Sequence, residues 1–283
     1  MSEEEFPADR SPQIHILVNE QPVSVSEGST TGGLRDLFKP GADVMVLNGF
    51  PVGPEMRVRQ GDRVVVIQRG EVPAEEELEA LMAARHTPGV HERMRRSRVG
   101  VAGLGGLGSA VALALARMGV GELVLADFDV VEPSNLNRQH YTVEDIGESK
   151  ADAMSRRLAR VNPAVRVYAH RVVLDATNIP TLFRDADVLV ECLDGAEAKA
   201  LLIRTAAERL PETFVVGASG VAGYGDGNRI RVVRLGARVF MVGDLLTAAE
   251  PGRGLMAPRV GIAAHHQANL AVSLLMEGED AVL

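Results

Sequence analysis

Four glycines within the hexapeptide Gly103-Leu-Gly-Gly-Leu-Gly108 follow the apolar run Val99–Ala102 and lead into a helix-compatible stretch from Ser109 to Met118. A strand that stops in such a turn and re-enters as a helix commits its surroundings to a strand–helix–strand unit. The glycines let a backbone approach a phosphate closely, and the helix N-terminus adds amide donors and a favourable dipole. Asp127 closes the next apolar run, Leu123–Ala126, about 20 residues on, where a carboxylate can bind ribose hydroxyls. At this level NAD fits as well as ATP, and glycines that serve only tight packing are the plainer alternative. The uncharged run Val99–Ala116 is about long enough to weigh as a membrane span. Glycine clustered at one end is costly in a continuous helix, so the strand–turn–helix reading is preferred and no membrane association is expected.

From Arg98 onward strands alternate with helices, which predicts a mostly parallel sheet covered on both faces. Beyond Leu123–Ala126 the expected elements are a helix over Ser149–Arg160, strands at Val165–Ala169 and Val188–Cys192, and a helix over Ala196–Arg209. Strands at Phe214–Ala218 and in the region 230–242 follow, then a last helix over Val260–Met276. The first seventy residues read as a small β-rich unit. Ile14, Leu17 and Val18 lie in one strand, Asn19–Pro22 turns the chain, and Val23 and Val25 return. A short helix capped by Ser29 or Thr30 runs through Leu34, Leu37 and Phe38, and strands at Val44–Leu47 and Arg63–Ile67 follow. Two strands, a helix and two strands are compatible with a β-grasp. Residues 71–97 read as a linker with one helix over Val72–His86, stopped by Thr87-Pro88-Gly89.

The chain of 283 residues is 46% hydrophobic with a formal net charge of −8. That balance argues against a nucleic-acid partner, which calls for a basic face. Met1–Pro12 is acidic and lacks an apolar core, so no secretory signal is expected. Cys192 is the only cysteine, which excludes an internal disulfide and a Cys-x-x-Cys zinc site and suggests a reducing cytoplasm.

The segment after Asp127 separates the nucleotide readings. Asp127-Phe-Asp-Val-Val-Glu-Pro-Ser-Asn-Leu-Asn-Arg-Gln139 sets two acids, amides and an arginine beyond the strand end, and Lys150 begins the next helix. Cations spread along a polyphosphate, with a carboxylate for magnesium, suit phosphoryl-transfer chemistry better than hydride transfer. Asp194, beyond the strand Val188–Cys192, is the candidate carboxylate.

In order, Gly103–Gly108, Asp127-Phe-Asp129, Ser134-Asn-Leu-Asn-Arg-Gln139, Lys150, Asp194 and Gly254-Leu-Met-Ala-Pro258 resemble the motifs of the activating-enzyme superfamily that includes ThiF, MoeB and the ubiquitin-activating enzymes. The resemblance covers Arg98–Leu283. The first seventy residues resemble the β-grasp sulfur carriers ThiS and MoaD, and the fused order, with Pro88-Gly-Val-His91 between the parts, resembles the second ThiF subfamily. It implies a Rossmann-like adenylating domain over 98–283 behind a carrier-like domain over 1–70, acting as a homodimer with ATP and Mg2+. The expected activity is adenylation of the C-terminal carboxylate of a Gly-Gly-tailed, ThiS-like carrier in thiamine biosynthesis, with a MoaD-like carrier or another peptide as the alternative. On the same basis Gly103, Gly105, Gly106 and Gly108 hold phosphates, and Asp127 holds the ribose with Asp129 beside it. Ser134, Asn135, Arg138 and Lys150 lie along the triphosphate, and Asp194 coordinates magnesium. A further arginine supplied across the dimer has two candidates, Arg85 and Arg93.

Singly, Arg138 reads as a loop arginine, Lys150 as a solvated helix residue and Asp194 as a helix cap; their joint spacing carries the assignment. Gly195 stands where the family often has asparagine, the paired zinc cysteines are missing, and no cysteine lies between Ala218 and Pro258. No zinc is therefore expected, and a persulfide or thioester in that region is unavailable. Cys192 reads as a buried thiol, and the adjacent His265 and His266 as packing and surface residues. A nicotinamide-dependent oxidoreductase and a non-catalytic regulatory protein remain as rivals from other classes.

Overall fold

A computed structural model describes residues 12–84, 86–87 and 89–281. The acidic start, Arg85, Pro88 and the last two residues lie outside the described residues. The chain divides into two compact units, Met1–His86 and Thr87–Leu283.

The first unit orders β1 (Gln13–Val18), β2 (Gln21–Ser26), α1 (Thr31–Phe38), β3 (Val44–Leu47), β4 (Phe50–Val52) and β5 (Arg63–Ile67) into a five-stranded sheet, β2-β1-β5-β3-β4. β1 and β5 run parallel and the other neighbours antiparallel. Alternation in β1 sends Ile14, Ile16 and Val18 inward, where they meet Leu34 of α1 and Val64 and Val66 of β5. Thr30 caps α1, its hydroxyl accepting from the Gly33 N–H at 3.2 Å. Three strands follow the helix where two were expected. The extra one, β4, pairs back onto β3 through Asn48-Gly49, both at positive φ (49° and 89°), the chemistry of a tight hairpin turn.

The stretch 71–97 is not one linker. Its first helix, α2 (Glu75–Ala83), groups with the first unit. Glu77 Oε1 accepts from Asn19 Nδ2 at 2.7 Å and from Lys39 Nζ at 3.4 Å, and Lys39 also pairs with Glu71 at 3.3 Å. A second helix that the sequence reading lacked, α3 (Val90–Arg95), belongs to the second unit.

The second unit continues with β6 (Arg98–Ala102), α4 (Gly106–Arg117), β7 (Glu122–Ala126), α5 (Lys150–Val161), β8 (Arg166–His170), α6 (Ile179–Leu182) and β9 (Val188–Glu191). It ends with α7 (Ala196–Arg209), β10 (Phe214–Ala218), β11 (Arg231–Arg234), β12 (Val239–Gly243) and α8 (Ala257–Glu277). The seven-stranded sheet has the order β11-β12-β10-β9-β6-β7-β8, parallel except where β11 meets β12. Its central strands are apolar on both faces, as a sheet covered by helices requires. Val99, Val101, Leu123 and Leu125 pack with α4, α5 and α8, whereas Val124, Ala126 and Leu189 pack with α6 and α7. The run 99–116 is thus shared between β6 and α4, and among the described residues no helix is long and apolar enough to cross a membrane. The strand order reverses between β6 and β9, so a crevice opens beyond their carboxyl ends, the usual ligand position in such sheets.

Candidate active site

The glycine loop enters that crevice from β6. Gly103 has φ +89°, and a Cβ there would stand 2.8 Å from the Cys192 carbonyl oxygen. A Cβ on Gly108 would stand 1.8 Å from the Gly103 carbonyl oxygen, so neither position accepts a side chain. α4 starts at Gly106, ahead of the expected Ser109, with Gly105 as a cap that has no side chain. The first N–H groups of the helix therefore open directly beside the loop, an arrangement that favours an anion.

Asp127 binds this loop through backbone donors. Its Oδ2 accepts from Leu104 N–H at 2.6 Å and its Oδ1 from Asp129 N–H at 2.8 Å. Burial raises the Asp127 pKa, against the pull of those two N–H groups and of Lys150. Lys150 opens α5 with its side chain buried, and its Nζ donates to Asp129 Oδ2 at 2.9 Å. Tyr141, which the sequence reading did not single out, donates from its hydroxyl to the Leu104 carbonyl at 2.9 Å. Burial pushes its phenol well above the ordinary range, so it acts as a fixed donor fastening the glycine loop.

The predicted Ser134–Gln139 segment forms a short turn over the loop. Asn135 Oδ1 accepts from Glu132 N–H at 3.2 Å, and the Ser134 hydroxyl bonds Glu132 Oε2 at 3.2 Å. Arg138 donates to the Ser134 carbonyl at 3.2 Å and to Asn137 Oδ1 at 2.8 Å, while its buried Nε has no hydrogen-bond partner among the described residues. A Cβ on Gly106 would lie 3.5 Å from the Arg138 Cγ, and one on Gly105 3.8 Å from Gln139 Nε2, so the turn packs onto the glycines.

Asp194 stands on the turn from β9 into α7. Cys192 N–H donates to the Ala102 carbonyl at 2.8 Å, which lays this turn alongside the glycine loop. The helix-cap alternative does not hold, because Gly195 is the N-cap residue of α7 and the helix start has no side-chain cap. Asp194 is exposed and makes no protein hydrogen bond or ion pair among the described residues.

Arg93 is not brought to this site within the chain. It lies in α3, ahead of the opposite end of β6, and its Nε donates to the Leu275 carbonyl at 2.7 Å. Arg85 lies outside the described residues. Cys192 falls just past β9 with its thiol donating to Gln267 Oε1 at 3.8 Å, and burial pushes that thiol well up. His265 and His266 are both exposed on α8, so neither is the packing residue expected of one of them.

Two buried charge pairs were not foreseen. Glu191, inside the strand predicted at Val188–Cys192, pairs with Lys199 at 2.5 Å, and Asp244 pairs with Arg259 at 2.7 Å. A glutamate among Val188-Leu-Val-Glu-Cys192 was the available signal, since a charge is not placed in a buried strand without a partner.

The arrangement can hold a nucleoside polyphosphate, with backbone donors and a lysine for phosphates and carboxylates for a ribose and a divalent cation. Comparison with known proteins agrees at the level of family. The chain belongs to the ThiF family, whose profile matches residues 79–278, and the profile of ThiS-like ubiquitin matches residues 14–70. A segment of 132 residues is 41% identical to the sulfur carrier protein adenylyltransferase of Thermus thermophilus, covering 46% of this chain and 48% of that protein. The molybdopterin-synthase adenylyltransferase of Escherichia coli is 33% identical over 196 residues, 65% of this chain and 75% of that enzyme. The chain thus matches about half the length of the Thermus relative. Among solved structures, the E. coli tRNA N6-threonylcarbamoyladenosine dehydratase TcdA, in complex with AMP, shares the fold. It gives a TM-score of 0.65 at 22% identity, over 73% of this chain and 98% of TcdA.

Proposed function

We propose that this chain adenylates the C-terminal carboxylate of a small sulfur-carrier protein. The observation that supports the reading is the glycine loop bonded by Asp127, with Lys150 tied to Asp129 beside it and the turn that leads to Asp194 laid along it. The relatives named as adenylyltransferases for a sulfur carrier and for molybdopterin synthase support it.

A carboxylate oxygen of the carrier attacks the α-phosphorus of ATP, the bond to the β-phosphate oxygen breaks, and pyrophosphate leaves. A terminal carboxyl has a pKa of about 3.5 and is already ionised at neutral pH, so no general base is needed. The chain's task is alignment and charge neutralisation. The loop N–H groups and the N-terminus of α4 face the phosphates, Lys150 and Arg138 spread positive charge along them, and Asp127 receives the ribose. Asp194, an exposed carboxylate without a protein partner among the described residues, offers the hard oxygen donor that magnesium prefers. When bound, magnesium neutralises the phosphate oxygens. The product is an acyl-adenylate, a carbonyl open to sulfur.

The carrier-like first unit is, in this reading, not the substrate. Its last strand runs through Ile67 into Gln68-Arg69-Gly70-Glu71 and on into α2, so the carbonyl of Gly70 is held in a peptide bond. Arg69 N–H donates to Asp43 Oδ1 at 3.0 Å, and Glu71 meets Lys39. The carrier comes in trans, to a homodimer in a reducing cytoplasm, and the product serves thiazole formation in thiamine biosynthesis. A molybdopterin-type carrier is the second reading, favoured by the E. coli relative. Exchange of labelled pyrophosphate into ATP, run against a panel of Gly-Gly-tailed carriers, tests both. Exchange dependent on a ThiS-like carrier is expected. Exchange only with a MoaD-like carrier selects the second reading, and none with any carrier rejects the function.

A further inference from the structure

Glu191 ends β9 in the middle of the sheet with none of its surface exposed. Its Oε2 meets Lys199 Nζ at 2.5 Å, its Oε1 accepts from Leu193 N–H at 2.7 Å, and the Ala218 N–H points at the same carboxylate. Gly217 leaves it room, since a Cβ there would stand 3.2 Å from Oε2. A buried ion pair is seldom a better stabiliser than well-packed apolar side chains of the same volume. Its place in the chain is therefore informative. The carboxylate holds Leu193, the residue before Asp194, and Lys199 sits just inside the helix that follows Asp194.

The same turn is gripped from other sides. Gln267 of α8, fully buried, donates to the Glu191 carbonyl at 3.0 Å and to the Val216 carbonyl at 3.2 Å. Cys192 N–H is bonded to Ala102, and the Cys192 carbonyl lies against Gly103. Asp194 is the first exposed residue after this clamp.

We propose that Glu191 and Lys199 are positioning residues for adenylyl transfer, their buried pair setting the turn that presents Asp194 to the magnesium-bound nucleotide. The inference rests on the proposed function for the nucleotide and its cation, and not on the identity of the carrier. Neither residue touches substrate. Each acts through the Leu193–Asp194 backbone.

The test titrates magnesium at fixed ATP by calorimetry in the full chain, for wild type, Glu191→Gln, Lys199→Met and Lys199→Arg. AMP binding without magnesium and thermal melting run alongside. Glu191→Gln keeps an acceptor for Leu193 but loses the charge. Lys199→Met keeps the stem and changes a side chain that is 19% exposed, so it carries the test if Glu191→Gln does not fold. The half-saturating magnesium concentration is expected to rise about tenfold or more in both, as for other residues that orient a metal ligand. AMP binding should stay at the wild-type level, and Lys199→Arg should restore the magnesium response. Folded variants that melt lower yet keep the wild-type magnesium response would overturn the proposal, leaving the pair a mere stabiliser. Failure of wild type to bind ATP with magnesium would overturn it as well. ATP–magnesium binding without carrier-dependent exchange would sink only the carrier reading.

Discussion

Lys150 is bound to Asp129 twice, its backbone N–H to the Asp129 carbonyl at 3.0 Å and its Nζ to Oδ2 at 2.9 Å. The double tie fixes a cation at the start of α5, facing the loop from β7. Lys150→Ala and Arg138→Ala are each expected to abolish adenylation while the fold survives. Losing a preorganised charge contact to a transition state costs about 2.7–4 kcal/mol, on the order of a hundredfold or more in rate. Carrier-dependent pyrophosphate exchange checks this, and near-normal exchange in either variant removes that residue from the site.

Cys192 should be dispensable. Its thiol is buried and held protonated, pointing at Gln267 rather than into the crevice, and acyl-adenylate formation needs no thiol. Cys192→Ser should keep carrier adenylation, with a modest loss of stability from the buried hydroxyl. A folded serine variant without exchange activity contradicts the assignment.

The Asp244–Arg259 pair makes a prediction about stability. Arg259 also donates to the carbonyls of Gly225 at 3.1 Å and Asp226 at 2.7 Å, joining the start of α8 to two loops. Arg259→Met leaves Asp244 buried without its cation and should cost about 3–5 kcal/mol, read by chemical denaturation. Burial opposes ionisation of Asp244, but the Thr247 hydroxyl, the N–H groups of Leu246 and Thr247 and the Arg259 cation outweigh it, holding the pKa down at about 2. A depressed carboxyl contributes stability that is complete above its unfolded value of about 3.9 and fades as pH falls toward about 2. The melting midpoint of wild type should therefore lose ground to that of Asp244→Asn as pH falls below about 4. A constant gap between pH 7 and pH 3 contradicts the shift.

The fused first unit should remain unmodified. Incubating the purified chain alone with ATP and magnesium, then measuring intact mass, is expected to show no change. Adenylation should appear only on an added Gly-Gly-tailed carrier. Cleavage after Gly70 with an adenylate or thiocarboxylate on the released fragment overturns the trans reading.

Much of this architecture was legible because the determining signals are local. Gly103 and Gly108 mark a backbone that no other residue fits, and the Phe214–Ala218 and Ala196–Arg209 elements follow their periodicity residue for residue. The misses are non-local or hidden by a neighbouring signal. β4 is three residues long, too short for periodicity, although Asn48-Gly49 announced its turn. The 71–97 stretch read as a single helical segment because its charged residues carry no mark of which unit they pack on. Glu191 and Lys199 escaped notice because their meaning lies in burial, which depends on where β9 falls in the sheet. Tyr141 was missed for a similar reason, its partner Leu104 being 37 residues away.

The last strand of the first unit, β5, lies in the middle of its sheet, between β1 and β3. During synthesis β1 and β2 can form their hairpin early, but β1 and β3 have no common neighbour until residue 67 has emerged. Closure of this unit is then a late, long-range event, and pairings distant in sequence are the slow ones. Chains interrupted before β5 keep two strand pairs with open edges, the kind that recruit other chains. A nascent first unit therefore keeps its open edges until residue 67 can pair between β1 and β3.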